Sequence, residues 1–459
     1  MSGDALEVVI LGSGIVGLCT AFYTLRLSPS ARVTLVENSP AHQIAGGASS
    51  YSGGFIACGP AWHEAPSQAL ARLSWRLHVE LAREFGGLER WGWRECGAVG
   101  LNVGGPGEDR SKYRTLPGGK KEGKTDASTP GEWVEGEKEV LDTDGGVGQI
   151  DPAQFCRFLH HHLSTAYTDR FSTIFGESIA ILPASPVSRA ASAFLPSSLA
   201  PSARRHLLVK SPSSHLRLPF DRLCIAAGPW SAAVCATLGL PPIPLTNLPG
   251  HSLLIRPALK DFVPLPGAPH ALPAQAVFAG ISGAVGGVHA STSGLARGLT
   301  DEEKAEGFTR APELFTRVNG LVFVAGENTI PETRSQEPSG LPNKLPPRVD
   351  EVKDMIDQRL VGRLKRAAGA VSALLKEENG AVIEKEQFCY RPVAPDREPI
   401  IGPLSRADPS ITVNTAMGPW GITQAPGGGR VVAEMMLGLP LSADVSRLGV
   451  DRFEVKAKL

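Results

Sequence analysis

An excess of charge of either sign is absent from this 459-residue chain, where 46 lysines and arginines stand against 46 aspartates and glutamates. A balanced chain offers nucleic acid or an anionic membrane no electrostatic hold, which leaves a small molecule as the expected partner. Metal-ligand spacing is absent as well. The seven cysteines, Cys19, Cys58, Cys96, Cys156, Cys224, Cys235 and Cys389, form no CxxC pair, and an odd, scattered set fits a reducing compartment. His160, His161 and His162 follow one another on an expected helix, so their rings fan around its axis and cannot close on one ion. No metal is expected. Nor is there a clean membrane span: the uncharged stretch from Leu223 to Ile255 is broken by Pro229, Pro241, Pro242, Pro244 and Pro249. The opening MSGDALEVVIL carries acids and runs straight into a strand pattern, unlike a signal peptide.

What is present begins with glycine. LEVVILGSGIVGLCTAFYTLRL is a β-branched run, then glycines at 12, 14 and 17, then a helical pattern. Gly12 permits the tight turn, Gly14 lets a pyrophosphate approach the backbone together with Ser13, Ile15 and Val16, and Gly17 lets the helix pack on the strand. The helix N-terminus then presents N–H groups and a positive dipole end to phosphate. A second strand, RVTLVE, ends at Glu37, followed by Asn38; a carboxylate there accepts from a ribose diol and disfavours NADP. The next loop, GGASSYSGGFI, is built of small residues and hydroxyls (Ala48, Ser49, Ser50, Gly53, Gly54) that suit a longer dinucleotide, and RLCIAAGPWSAAV repeats the strand-to-helix pattern at Ala227, Gly228 and Trp230. NAD proteins do not need such a loop, so FAD is the expected cofactor. Val187, Gly418, Gly421, Ile422 and Thr423 complete the candidate cofactor set.

The length predicts two domains. Residues 104–146 and 331–350 are polar, glycine- or proline-rich and without apolar period, as expected of mobile surface loops. Two stretches predict amphipathic helices, SQALARLSWRLHVELAREF and DEVKDMIDQRLVGRLKRAAGAVSALL, and HSLLIRP, QAVFAGI and GLVFVAGE predict strands. Gly418, Gly421 and the PGGG run at Pro426 to Gly429 predict the opening of a last helix near Arg430. His251 and His289 stand alone and receive no catalytic role.

The C-terminal CYRPVAPDREPIIG and NTAMGPWGITQAPGGGRVVAEMMLG, with the N-terminal glycines, the serine-glycine loop, GQIDPAQFCRFLHHHL and AAGPWS, resemble the D-amino-acid oxidase superfamily of FAD oxidoreductases. That family includes glycine oxidase, sarcosine oxidase and the fructosyl-amino-acid oxidases, and within it the chain is most similar to fungal members. The resemblance implies a Rossmann-type FAD domain (1–62, 150–235 and 386–459) interleaved with a substrate domain on a large antiparallel sheet (63–149 and 236–385). It implies oxidation of the C–N bond of an amino or N-substituted amino acid by hydride transfer to flavin, with oxygen or another acceptor taking the electrons; a flavin-binding protein without turnover is the alternative. Arg391 matches the arginine that holds the substrate carboxylate, a structural ion pair being its other reading. Trp420 stands where many relatives carry a histidine and either narrows the pocket, stacks on substrate or simply packs. Cys389 matches, by its distance from Asp396, a cysteine that bonds covalently to flavin in sarcosine oxidase; a buried structural cysteine beside a non-covalent flavin is favoured. Alternation puts Cys389 and Arg391 on one strand face. The terminal Ala457-Lys458-Leu459 is similar to a peroxisomal address, with the cytoplasm as the alternative.

Overall fold

A computed structural model describes residues 5–103, 120–125, 132–141, 146–184, 204–211, 213–262, 272–281, 311–328 and 345–453. Val187, His289, Ala457-Lys458-Leu459 and much of the two stretches read as mobile loops lie outside the described residues. In chain order the strands are Glu7–Leu11 (β1), Arg32–Glu37 (β2), Phe55–Ala57 (β3), Arg94–Glu95 (β4), Gly97–Val103 (β5), Lys120–Thr125 (β6), Gly136–Val140 (β7), Val147–Gln149 (β8), Phe171–Phe175 (β9) and Glu177–Leu182 (β10). They continue as Arg205–Lys210 (β11), His215–Phe220 (β12), Arg222–Ile225 (β13), Thr246–Arg256 (β14), Gln275–Ile281 (β15), Glu313–Thr316 (β16), Val322–Glu327 (β17), Val382–Val393 (β18), Ile400–Pro403 (β19) and Ile411–Thr415 (β20). The α-helices are Ile15–Leu27 (α1), Gln68–Phe85 (α2), Gly87–Trp91 (α3), Pro152–Ala166 (α4), Ser231–Thr237 (α5), Gln358–Val371 (α6) and Gly421–Leu437 (α7).

EVVIL, RLCI and ITVNT are short apolar runs buried on both faces, the pattern of parallel strands covered from two sides. They form a six-stranded sheet in the order β19-β20-β13-β1-β2-β9, parallel except for β19 at its edge. Val8 and Ile10 face a core shared with α1, α2, α4 and α7, while Val9 and Leu11 face β11, β12 and α5. The helix α1 lies inside that core, which is why its sequence is apolar nearly all round.

The helix α7 departs from the expectation. It begins at Gly421, not near Arg430, and runs through Pro426 and the three glycines. Pro426 has no N–H to give the Ile422 carbonyl, and that carbonyl accepts instead from His78 Nε2 of α2 at 2.9 Å. One turn on, the Gly427 N–H donates to Ser74 Oγ at 3.0 Å and the Ser74 hydroxyl donates to the Gln424 carbonyl at 3.2 Å. The glycines are packed by neighbours on three sides. A Cβ at Gly428 would stand 2.9 Å from Met417 Cε, one at Gly429 would stand 2.6 Å from the Cys19 carbonyl carbon of α1, and one at Gly427 would overlap Ser74.

The second sheet runs β18-β14-β17-β16-β15-β5-β7-β6 and is antiparallel except where β15 meets β5. One face packs on α6 through Leu253, Val277, Leu314 and Val324 against Val361, Leu364 and Ala368. The other carries Phe278, Phe315 and Phe323 toward the first sheet's loops. Four expectations shift here. The α2 and α3 helices pack in the first core, and β18 belongs to the second sheet. Within 104–146, β6 and β7 form the sheet's outer hairpin and Trp133 is buried, its Nε1 donating to Gln275 Oε1 at 2.7 Å. The β7 residues are half-buried or exposed without alternation, so the strand shows no apolar period, and the buried Trp133 lies outside the strands. The predicted helix over 350–375 is cut at Asp357, whose side chain caps α6 by accepting from the Arg359 N–H.

Gly429→Ala places its methyl against the α1 backbone and is expected to destabilise the fold by about 1–3 kcal/mol, read as a lower thermal midpoint. Gly362→Ala in α6 meets only the end of Arg366 at 3.4 Å and is expected to leave stability unchanged or raised. Equal midpoints for the two variants would refute the packing argument.

Candidate cofactor and substrate site

A cavity of about 350 Å³ runs from the carboxyl ends of β1, β2, β13 and β20 to the aromatic face of the second sheet. At the first end the geometry fits a dinucleotide. Gly12 has φ +108°, and a Cβ there would stand 2.5 Å from the Ala226 carbonyl. Gly14 is the N-cap residue of α1, and the first helical N–H, that of Ile15, donates to Ser49 Oγ at 3.0 Å, so the helix N-terminus forms the cavity wall with Val16. Glu37 ends β2 at the wall beside Asn38. Its Oε2 accepts from the Ser13 N–H at 2.7 Å and the Ser13 hydroxyl at 2.6 Å, which fixes the carboxylate, while burial pushes its pKa up against those bonds. Ser13 therefore acts behind the wall, through Glu37.

The remaining candidates divide. Ala48, Ser49, Gly53, Gly54, Ala227, Gly228, Trp230, Gly418, Gly421 and Ile422 line the cavity. Gly17 and Ser50 do not; Gly17 packs on the Gly12 carbonyl, as its expected role requires. Thr423 is buried behind the wall, donating to the Phe55 carbonyl at 3.4 Å. The neighbours that demand glycine at 53 and 54 are protein: the Phe315 and Phe323 rings crowd Gly53, and the Ile150 carbonyl crowds Gly54. At the edge beyond Glu37 the lining residues are Gly176, Glu177 and Ser178, which no local pattern marked.

At the second end Cys389 and Arg391 both line the cavity, as strand alternation predicted, while Phe388 and Tyr390 pack on Val352 and Met355 behind β18. Arg391 Nη2 donates to the Pro249 carbonyl at 3.3 Å and to Asn328 Oδ1, and its Nε is buried without a partner. Burial pushes the Cys389 thiol up, with Arg391 pulling the other way. The Trp420 ring lies 4.5 Å from His63 and about 6 Å from Phe55 and Trp62, so packing and pocket lining are combined in one side chain. Other wall residues at this end include Phe278, Phe315, Phe323, His251, Ser252, Glu313 and Ala325. Cross-strand register brings these together, and a linear pattern holds no signal for it.

Three histidines around the site, His63, His78 and His251, are pushed down to about 4 by burial. His63 Nε2 donates to the Ala57 carbonyl at 2.7 Å, and His251 Nε2 accepts from the Asp357 N–H at 3.0 Å, so each is held as a neutral ring. His160 bonds Thr173 at 3.0 Å and His162 packs among Phe22, Phe85 and Phe158. Among the described residues no cluster fits a metal, and no helix is long and apolar enough to cross a membrane.

A folded pKa below the unfolded value of about 6.5 means that the unfolded chain binds more protons between the two. The stability these rings contribute is present above pH 6.5 and is lost as pH falls from 6.5 toward 4. The thermal midpoint is expected to fall across that window, and less steeply in His78→Gln, which keeps an N–H donor without a titrating ring. Identical slopes in parent and variant would refute the assignment.

The comparisons with known proteins converge on one family. A Schizosaccharomyces pombe chain assigned by name as an oxidoreductase is 24% identical over 97% of this chain and 98% of its own. A D-amino acid dehydrogenase of Bradyrhizobium diazoefficiens is 44% identical over 63 residues, 14% of each chain. Among solved structures, glycine oxidase from Geobacillus kaustophilus superposes with a TM-score of 0.65 at 17% identity, covering 99% of this chain and 100% of that one. L-proline dehydrogenase from P. horikoshii gives 0.61 at 14% identity over 98% of each. These likenesses concern the fold. The model of the family described as FAD dependent oxidoreductase, DAO, matches residues 7–169 and 199–435, and the chain belongs to that family of FAD-dependent enzymes.

Proposed function

We propose that this enzyme oxidises the C–N bond of an amino acid or N-substituted amino acid whose carboxylate is held by Arg391. The observation that carries this reading is the continuity of one cavity from the Gly12 turn and Glu37 to Arg391. A guanidinium presents a planar fork of donors matched to a carboxylate. Arg391 spends only part of that fork on Pro249 and Asn328.

FAD, when bound, supplies the two-electron acceptor for hydride. Gly12, Gly14, Ser49 and Glu37 would hold it by backbone approach and carboxylate acceptance. The N-terminus of α7 at Gly421 and Ile422 would place a positive dipole end against negative charge developing in the cavity. Arg391 orients the substrate, and Trp420 with the phenylalanines of β15, β16 and β17 excludes water from the reacting carbon. The substrate's α-nitrogen must carry its lone pair to close the C=N bond as hydride leaves the α-carbon. An amine that arrives neutral therefore needs no protein base.

Truncating one partner of a charge-assisted pair costs about 2–5 kcal/mol. Arg391→Ala is thus expected to raise KM for a carboxylate substrate at least about thirtyfold, with flavin content retained. Unchanged kinetics would remove the residue from the site. Anaerobic mixing with a panel of amino acids tests the reaction itself: a flavin that none of them bleaches would leave a flavin-binding protein without turnover.

The attachment we propose is non-covalent. Support comes from Cys389, 7% exposed, whose raised thiol pKa disfavours the nucleophilic thiolate. Acid precipitation is expected to leave the yellow colour in the supernatant. Colour in the pellet that disappears in Cys389→Ser would establish a thioether.

A further inference from the structure

Arg317 lies in the turn between β16 and β17 of the second sheet, and its side chain is only 6% exposed. A guanidinium taken that far from water depends on the partners its donors find. Nη1 donates to Asp151 Oδ2 at 3.3 Å, and Nη2 donates to the Ser52 carbonyl at 3.0 Å. The guanidinium carbon stands 5.5 Å from the centre of the Phe323 ring. Nε is buried without a partner, so the two polar contacts hold the group in place.

Each acceptor is tied to something further. Asp151 is the N-cap of α4, and its Oδ1 accepts from the Gln154 N–H at 3.0 Å, so the helix fixes the carboxylate that orients the guanidinium. Ser52 belongs to the serine-glycine loop and passes the contact on. Its hydroxyl donates to the Ser49 carbonyl at 3.1 Å, and Ser49 Oγ accepts from the Ile15 N–H at 3.0 Å. Ser52, Ser49 and Ile15 all line the cavity, whereas Arg317 does not. The next loop residue, Gly53, is pressed by Phe315 and Phe323 of the same sheet. A run of hydrogen bonds therefore leads from a turn of the second sheet to the first turn of α1, the place whose N–H groups suit a pyrophosphate.

We propose that Arg317 is a positioning residue for the cofactor: by holding Ser52 it keeps Ser49 in place at the N-terminus of α1, and so sets how long FAD is retained. It acts through the loop and touches neither flavin nor substrate. The proposal rests on the non-covalent attachment read above. A lysine does not replace it, because an ammonium is a point charge without the planar fork that serves Asp151 and Ser52 together.

The test dilutes the flavin-loaded enzyme and follows the fluorescence of released FAD. Arg317→Lys is expected to release it at least about tenfold faster than the parent. Asp151→Asn keeps the helix cap, removes the charge that orients the guanidinium, and is expected to speed release in the same direction. Because the contact runs through the Ser52 hydroxyl, Arg317→Lys made in a Ser52→Ala background is expected to add less than about threefold, a non-additivity that general destabilisation does not produce. Arg204→Met breaks the Arg204–Asp221 pair, which lies where β1 and β13 begin, and is expected to lower the thermal midpoint without changing release. Parental release in both Arg317→Lys and Asp151→Asn overturns the proposal. Equal acceleration by Arg317→Lys with and without the Ser52 hydroxyl, or equal acceleration by Arg204→Met, also overturns it and leaves a purely structural ion pair. A parent flavin that acid does not free removes both this inference and the non-covalent reading.

Discussion

The structure depends on a glycine-rich helix being wedged among three neighbours. At Gly427 and Gly429, α7 approaches α2 and α1 so closely that neither position has room for a Cβ, and at Gly428 it lies against the Met417 and Asn414 side chains beside β20. That approach fixes where α7 lies, and therefore where its N-terminus meets the cavity. It also carries a defect. Pro426 and the glycines are poor helix formers, and the backbone groups they leave unpaired are satisfied by Ser74 and His78 of α2. The apolar face of α2, with Leu70, Leu73, Leu77 and Leu81 buried, brings those two polar side chains to the helix they repair. Each such leucine contributes roughly 1.5–3 kcal/mol of burial, so the repair is built on packing that would form α2 in any case.

A second constraint acts at the strand ends. Both β13 and β20 finish in a Gly-Pro-Trp turn, Gly228 to Trp230 and Gly418 to Trp420, with the glycine at φ +52° in each. Because the strands are parallel neighbours, the turns lie side by side. They are tied by the Ser231 hydroxyl donating to Thr415 Oγ1 and by the Thr415 hydroxyl donating to the Gly228 carbonyl, each at 3.2 Å. Ala416, immediately before the second turn, is held at φ +63°, a left-handed conformation unusual for alanine. Strain of this kind persists where surrounding structure overrides it. The tryptophan of each turn, Trp230 and Trp420, lines the cavity.

The parts of the site that were legible in the sequence are those written over a few consecutive residues. The Gly12-Gly14-Gly17 turn needs only the strand before it and the helix after it, and Glu37 needs only the end of the next strand. Cys389 and Arg391 share a face because strands alternate. The start of α7 was misread because local rules reject proline and three glycines from a helix interior, and the compensation comes from residues some 350 positions away. The break at Asp357 was hidden by a helical period that persists through it, since a capping carboxylate leaves the apolar spacing unchanged. Trp133 and the β6–β7 hairpin were hidden by composition, because a charged edge strand reads like a loop.

Glu313 illustrates what remains beyond any linear reading. Its own strand, ELFT, holds the acid at one end and gives no sign that it faces a cavity. Its neighbours in the wall come from β15, β17 and β14, and Arg391 comes from β18, nearly eighty residues later. A sheet converts these separations into strand spacings, so residues far apart in sequence come to line one cavity without any motif that joins them. The dinucleotide end differs because phosphate recognition is a backbone property, carried by the turn itself. The cavity's second end is assembled from side chains carried across strands. The family therefore shows in the glycines, while the residues that meet at the second end are brought together by register in the second sheet.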